Sequence, residues 1–553
     1  MFEKYCTTGF DSYEEFAENF KINAPDDFNF SYDVVDVLAK EKPDKRALLW
    51  VDDFGGERTF TFSEMSRLSQ QAANMLHTEG IRKGDKVMLI LKRHYEFWIT
   101  ILALHRIGAI AIPATHLLTQ KDIVYRNNAA DVKMIIATNS GDLKASVEEA
   151  EPESPTLQKK ILVGEDRLGW LNYWTEMEKY GDSFPRPAGD ADTKSTDIML
   201  LYFTSGTTGM PKMVAHDYTY PLGHIVTAVY WHNVDPDGLH LTVADTGWAK
   251  SAWGKLYGQW LAETCVFVYD MEKFDPKELL NKISKYKVTT FCAPPTMYRY
   301  FIKEDLSQFD LSALKYATIA GEPLNPEVYH QFYEATGLKL REIYGQTETM
   351  VTIGNFLWME PRPGSMGRPN PTYCIDLVND EGEPVGLGET GEIVIRTDKT
   401  DMVGMFLGYY RDDERTSKAW NNDIYHTGDV AWRDEDGYYW YVGRSDDVIK
   451  SAGYRIGPFE VESVLMEHPA VLETAITGVP DPVRGQLVKA TVVLAKGYEP
   501  TDELRAELQN FVKRNTAPYK YPRVIEFVEE MPKTISGKIR RVELREKDKE
   551  KKG

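Results

Sequence analysis

A chain of 553 residues is several times the usual domain size, and with 42% apolar and 27% charged residues it has the make-up of a folded protein in two or more unequal units. Its formal net charge of −20 disfavours nucleic acid and anionic lipid as partners, so an anionic ligand must be captured by local basic groups. Four widely spaced cysteines, Cys6, Cys265, Cys292 and Cys374, exclude a disulfide framework or close-spaced zinc site and fit a reducing, cytoplasmic setting.

The N-terminus shows no secretory pattern, and the apolar runs 97–104 and 107–114, parted by His105 and Arg106, are too short to span a bilayer. Thr61-Phe62-Ser63-Glu64 is a capping-box pattern; Leu68, Ala72, Met75 and Leu76 follow at helical spacing, predicting an amphipathic helix to about Gly80. Lys86 to Leu91 and Ile110 to Pro113 read as strands flanking another helix, and this alternation, continuing to about residue 360, predicts a layered α/β domain. From Ile375 to Val442 short runs separated by turn signals predict a β-rich subdomain poor in helix.

After Asp446 the chain restarts as a small α+β unit. Pro458 opens a helix, strands surround Val471 to Ile476 and Val488 to Leu494, and a helix from Thr501 puts Leu504, Leu508, Phe511 and Val512 on one face. The tail from Arg545 to Gly553 is nearly all charge and is expected to fray.

The strand predicted over Ile198 to Phe203 runs into Thr204-Ser205-Gly206-Thr207-Thr208-Gly209-Met210-Pro211-Lys212. Glycine lets backbone N–H groups converge on an oxyanion, the hydroxyls add donors and the lysine adds a point charge, so this segment reads as a phosphate loop. It is not a Walker A loop, because the Gly-Lys-Ser/Thr ending is absent.

This loop resembles the signature of the adenylate-forming superfamily of acyl-CoA synthetases, nonribosomal adenylation domains and luciferases. The likeness extends to Ala320-Gly321-Glu322-Pro323, Tyr344-Gly345-Gln346-Thr347-Glu348, Tyr425-His426-Thr427-Gly428-Asp429, Gly443-Arg444-Ser445-Asp446-Asp447, Gly453-Tyr454-Arg455-Ile456 and 532–538, in the family's order and from about residue 35 onward. Asp245-Thr246-Gly247-Trp248, Asp481-Pro482-Val483-Arg484-Gly485 and the stretch 516–523 resemble the medium-chain acyl-CoA synthetase branch.

The resemblance implies an N-terminal adenylation domain over 1–445, with its β-rich subdomain at about 360–442, and a mobile lid over 446–553 hinged at Asp446. It implies an AMP-forming ligase that activates a short or medium-chain acid, branched and aromatic acids included, as its acyl adenylate and passes it to coenzyme A. ATP, magnesium and coenzyme A would be its small-molecule partners, and monomer and homodimer both stay open.

By resemblance, residues Thr204 to Lys212 would hold pyrophosphate, Glu348 would bind magnesium and Thr347 would touch the α-phosphate. Gly321, Glu322 and Pro323, with Glu342, Ile343 and Tyr344, would line the adenine, and Gly345, Gln346 and Arg455 join the nucleotide contacts. Asp429, assisted by Arg444, would accept from the ribose hydroxyls, and Lys538 would be the adenylation lysine. Ala452, Gly453 and Tyr454 would line the pantetheine path, while Arg484, Lys513, Tyr521 and Arg523 would meet coenzyme A.

In acetate-specific relatives a tryptophan plugs the acyl pocket where this chain has Gly345, so the glycine implies open space and a bulkier acid. Trp248, Lys250, Trp253 and Tyr257 are expected to border that space, Trp253 shortening it. Cys265 and Cys292 read as core, and of His216, His224 and His232 only His216 is a candidate for ligand contact. A nonribosomal adenylation domain is disfavoured by the chain ending soon after Lys538, whereas a luciferase-like oxygenase shares the motifs and a non-enzymatic nucleotide-binding protein is the remaining rival.

Overall fold

The computed structural model describes every residue except 207–208, 453, 535–537 and 551–553. The α/β class expected from the sequence is what the chain forms, with three sheets of 14, 8 and 5 strands among the described residues.

The largest sheet has a parallel heart: Arg46–Asp52, Cys265–Asp270, Leu239–Thr242, Thr290–Ala293, Tyr316–Ile319 and Leu340–Gly345 lie side by side, all pointing one way. Strands buried on both faces need unbroken apolar runs, and Cys265–Asp270 and Thr290–Ala293 are buried at every position. The same sheet continues, now antiparallel, through Ser365–Pro369, Tyr439–Arg444, Ile424–Arg433, Gly391–Arg396 and Ile375–Val378. This is the β-rich stretch; one α-helix, Asp413–Ala419, and a short 3-10 turn, Thr397–Lys399, interrupt it.

The second sheet contains the parallel strands Lys86–Ile90, Ile110–Pro113 and Val132–Thr138. The helix Phe62–Thr78 that precedes them starts as the capping box predicts: Glu64 N donates to Thr61 Oγ1, and Thr61 N donates to the Glu64 carboxylate.

This sheet also corrects the reading of the phosphate segment. Ile198–Gly206 and Gly209–Asp217 form an antiparallel hairpin whose pairing runs from Ile198 with Asp217 up to Thr204 with Lys212 and Gly206 with Gly209. The strand therefore continues into the motif that sequence reading treated as loop, and Thr207 and Thr208 lie outside the described residues. Gly408–Tyr409 adds an edge strand to this hairpin, setting Tyr409 opposite Val214.

Beyond Asp446 the chain builds the five-stranded sheet. Val471–Asp481 and Gly485–Leu494 pair along their full lengths, longer than expected because pairing continues through Pro480 and Asp481 to the turn at 482–484. The helices Pro458–Met466 and Asp502–Asn515 share an apolar core with it through Val461, Leu465, Leu504, Leu508 and Val512.

The tail expected to fray is a second correction as far as residue 550, residues 551–553 lying outside the described ones. Arg541–Glu550 is a helix, with Leu544 buried against Ala475 and Met531. Charge density alone was misleading, because the helix presents one apolar and several paired charged residues to the sheet. No helix of the described residues is long and apolar enough to cross a membrane.

Candidate active site

Parallel strands expose loops at their carboxyl ends, which is where ligands of open α/β sheets bind. Here Ala320 to Pro323 follow Tyr316–Ile319, Gln346 to Glu348 follow Leu340–Gly345, and Asp245 to Trp253 follow Leu239–Thr242. The motifs from distant parts of the sequence thus meet at one end of the large sheet.

Glu348 is 5% exposed, and its Oε1 accepts from Lys212 Nζ at 2.6 Å and from the Tyr409 hydroxyl at 2.9 Å. Lys212 also donates to the Tyr409 oxygen at 2.6 Å and stands 4.3 Å from that ring's centre. Beside this cluster, the Thr347 carbonyl lies 2.8 Å from His216 Nε2. Burial pushes the His216 imidazole down to about 4, so it is neutral near pH 7, and it stacks on Tyr220. His216 therefore holds the Thr347 backbone; Tyr409, which sequence reasoning missed, closes the cluster from a two-residue edge strand too short to register as a pattern.

Asp429 is equally withdrawn, at 6% exposure. Its Oδ2 accepts from the Tyr344 hydroxyl at 2.7 Å and Gln346 Nε2 at 2.6 Å, and its Oδ1 accepts from the Tyr441 hydroxyl at 3.0 Å. Burial raises its pKa, while Arg444, its neighbour across the strand pair, and the three donors oppose that shift. Burial also works against the Arg444 charge, but Asp429 and Asp446 outweigh it and the guanidinium is held more firmly protonated than usual. Two carboxylate oxygens offer about four acceptor sites, so this one retains capacity for a further donor. Tyr441 was not foreseen, although it lies only two residues before Gly443-Arg444.

Glu342 behaves differently. It is 4% exposed, its Oε1 accepts from Leu324 N at 3.2 Å, and its Oε2 has no hydrogen-bond partner among the described residues. Burial pushes its pKa up to about 8, the single backbone donor opposing only in part. Nearby, Gly321 takes φ +105°, a left-handed conformation natural to glycine, and the exposed Glu322 accepts from Thr296 at 2.9 Å. Pro323 is half-buried beside them, and Ile343 and Tyr344 are buried.

The five-stranded unit touches this site. Lys538, exposed at its own position, is near enough to Lys250 to depress that lysine's pKa, adding to burial, the larger cause, while Cys292 and Glu322 oppose. Lys250 Nζ in turn donates to the Ala320 carbonyl at 2.7 Å. Further contacts fix this orientation: Asn325 Nδ2 donates to the Ser463 carbonyl at 3.1 Å and Arg455 bonds Asp380 at 2.7 Å. Arg455 is thus engaged with the β-rich stretch and, among the described residues, not with the others expected to meet the nucleotide.

Beside Lys250, the side chains of Trp231, His232, Thr242, Trp253, Cys292 and Ala320 line a crevice too tight in this structure to admit a water molecule. Two expectations about this region need correcting. The space opened by Gly345 is filled: a Cβ built there would lie 2.5 Å from the Trp253 indole and 2.3 Å from the Met350 carbonyl oxygen. Tyr257 is not among the residues lining the crevice beside Lys250; it is fully buried, its hydroxyl 2.9 Å from His105 Nε2 and its ring against Phe30. The helix breaks between Gly254 and Tyr257, so spacing did not carry the residue to the same face as Trp253. Trp248 is half-buried at the start of this segment, and Cys265 and Cys292 are buried as expected.

The residues expected to meet coenzyme A fall into two groups. Lys513 and Arg523 flank the Tyr521 ring at 4.0 Å and 4.6 Å, a compact cationic patch. Ala452 N donates to the Arg484 carbonyl at 2.8 Å, Ala452 has φ +50°, and Tyr454, 49% exposed, stacks on Tyr519. Gly453 lies outside the described residues.

A family model for AMP-binding enzymes matches residues 35–410, and one for the AMP-binding enzyme C-terminal domain matches 460–538. The mitochondrial acyl-coenzyme A synthetase ACSM3 of Rattus norvegicus is 42% identical over 99% of this chain and 96% of its own length. The mitochondrial ACSM5 of Homo sapiens is 42% identical over 95% of this chain and 91% of its own. Among solved structures, the anthranilate CoA ligase AuaEII in complex with anthranoyl-AMP superposes with a TM-score of 0.86 at 30% identity, covering 96% of this chain and 99% of that one. An acyl-CoA synthetase of Brucella canis does so with a TM-score of 0.74 at 30% identity, covering 98% and 100%. The chain belongs to the AMP-binding enzyme family, in its acyl-coenzyme A synthetase branch.

Glu342 yields a pH prediction. Its folded pKa of about 8 lies above the ordinary value of 4.5, so between these the folded state binds the extra proton and stability declines as pH rises. Glu342→Gln removes that slope: thermal midpoints of variant and wild type, compared from pH 5 to pH 8, should shift steadily in the variant's favour. A constant difference across that range would show the carboxyl ionised throughout.

Proposed function

We propose that the enzyme joins a short- or medium-chain carboxylic acid, branched and aromatic acids included, to coenzyme A through an acyl adenylate, with release of pyrophosphate and then AMP. The observation that carries this reading is the meeting of Lys212–Glu348 and Asp429–Arg444 at one end of the large sheet, bridged by Gln346.

In the first step a carboxylate oxygen attacks the α-phosphorus of ATP and the bond to the β-phosphate breaks. Negative charge builds on phosphate oxygens, so positioned cations and N–H dipoles lower the barrier. Lys212 would serve the leaving pyrophosphate from the hairpin, and Thr347 the α-phosphate. Asp429 would accept from the ribose hydroxyls, and Glu322, Pro323 and Tyr344 would border the adenine. Lys538 would stand between acid and phosphate. An ion pair at contact is worth about 4 kcal/mol at an effective dielectric near 20, close to a thousandfold in rate if expressed fully in the transition state.

Glu348 suits magnesium: it offers hard carboxylate oxygen, and only its Oε1 is bonded to protein among the described residues. No described group of three or more His, Cys, Asp or Glu could hold a metal alone, so the ion would share its shell with phosphate oxygens. When bound it supplies charge neutralisation on those oxygens.

In the second step the thiol sulfur of coenzyme A attacks the acyl carbon and AMP leaves. Rotation of 446–553 about Asp446 would bring Ala452 and Tyr454 to the adenylate, with Arg484 and the Lys513–Tyr521–Arg523 patch toward the coenzyme phosphates. Four free thiols fit a reducing compartment; the cytoplasm is the reading from sequence, while the mammalian relatives carry "mitochondrial" in their names.

The acid would enter at the crevice beside Lys250, which must widen to admit it, with the Trp253 indole as its floor. Each methylene that fits adds about 0.8 kcal/mol, and one that meets the indole adds nothing. The test is to incubate enzyme, ATP, magnesium and coenzyme A with straight, branched and aromatic acids while following AMP and acyl thioester together. Both products should appear in equal amounts, with branched or aromatic acids preferred. In Trp253→Gly, kcat/KM for a six- to eight-carbon straight acid should rise by about tenfold relative to a four-carbon one. AMP without thioester would overturn the ligase reading, and an unchanged chain-length profile would overturn the role of Trp253.

A further inference from the structure

The helix Arg541–Glu550 contacts the rest of its lobe at 541, 544, 545 and 548, one face by helical spacing. Arg541 Nη2 donates to both oxygens of Glu462, at 2.8 and 2.7 Å, and its Nη1 stands 3.8 Å from Asp447 Oδ2. Arg545 Nη1 bonds the other Asp447 oxygen and reaches the Asp446 carbonyl at 3.4 Å. Leu544 is buried, and Asp548 accepts from the buried Lys489. Asp447, the first residue beyond the pivot, therefore has one guanidinium against each oxygen, both from a single helix.

That helix continues directly from the turn that bears Lys538. Thr534 N donates to the Lys538 carbonyl at 2.8 Å, Lys538 N to Thr534 Oγ1 at 3.1 Å, and Arg540 N to the Pro532 carbonyl at 2.8 Å. Lys533 and Ile539 bridge across the same turn, and Ile539 packs with Met531 and Leu544. Lys538 is thus tied at the base of its turn, and the base is tied to the clamp.

We propose that Arg541 and Arg545 are positioning residues for adenylation: by fastening Asp447 to the helix that follows the Lys538 turn, they make pivot and lysine parts of one rigid body. Rotation at Asp446 then delivers the Lys538 ammonium to a fixed place. Without the clamp the lobe still folds around its apolar core, but the lysine arrives over a range of positions, and a misplacement of the order of 1 Å is enough to cost about a hundredfold in rate. The thioester step uses other groups, so it is spared. This inference rests on the reading of Lys538 as the adenylation lysine and Asp446 as the pivot.

The experiment uses the full-length enzyme with Asp447→Asn, Arg545→Gln and Arg545→Lys, and Lys538→Ala in parallel, each checked for folding by circular dichroism and thermal midpoint. Two rates are read: pyrophosphate release from acid and ATP without coenzyme A, and thioester formation from presynthesised acyl adenylate. Arg545→Gln and Asp447→Asn should lose about tenfold or more in the first rate with little change in KM for ATP, and no more than about threefold in the second. Arg545→Lys, which keeps a cation on Asp447, should recover most of the loss. Equal loss in both rates, or none, while Lys538→Ala still loses only the first, would overturn the clamp alone. Lys538→Ala losing both rates equally, or neither, would overturn the adenylation-lysine reading and the clamp with it. Should Asp447→Asn fail to fold, the Arg545→Gln and Arg545→Lys pair decides.

Discussion

The ion pair between Lys212 and Glu348 joins the two large sheets at the point where the phosphate hairpin meets the carboxyl ends of the parallel strands. Lys212 belongs to the hairpin of the eight-stranded sheet and Glu348 to the turn after Leu340–Gly345 in the larger one. His216 on the Thr347 carbonyl and Tyr409 on Glu348 are further links across the same seam. Glu348 is buried while Lys212 stays partly exposed, so losing the lysine would leave a buried carboxylate short of counter-charge, whereas losing the carboxylate would leave a cation that water can still reach. A polyphosphate entering here must offer Lys212 new acceptors as it draws the lysine away from Glu348, and the carboxylate so released needs a cation.

The same constraint governs the other withdrawn acids. Asp429 is satisfied by three side-chain donors and a neighbouring arginine, a preorganised cradle that keeps the carboxylate in one orientation. Glu342 has one backbone donor and answers burial by holding its proton. Burial raises the pKa of both carboxyl groups, and the number and kind of donors decide how strongly that shift is opposed. Trp253 meets the analogous apolar problem: a glycine at 345 and an indole from another element share one volume, so residue size at a single position does not set the depth of the pocket.

Much of this was legible in the sequence, and for identifiable reasons. The Thr61–Glu64 cap and the strand Ile110–Pro113 follow from local chemistry, and they appear where periodicity and capping put them. The candidate nucleotide residues were chosen through motifs in the family's order, and the fold gathers Gln346, Glu348 and Asp429 into one hydrogen-bonded region. Contacts across large sequence separation were not legible: Tyr409 reaches Glu348, and Tyr441 reaches Asp429, only because sheet register brings them together. The tail was misread because its charge was weighed without its period; Arg541, Leu544, Arg545 and Asp548 recur at helical spacing, a signal that was present.

The central claim is that the acid is activated by bonding its oxygen to the α-phosphorus of ATP. It is tested most directly by supplying the acid with both carboxylate oxygens as the heavy isotope and weighing the products by mass spectrometry. One heavy oxygen should appear in AMP and the other remain in the acyl thioester. Unlabelled AMP, with the heavy oxygen in pyrophosphate or inorganic phosphate, would contradict the account.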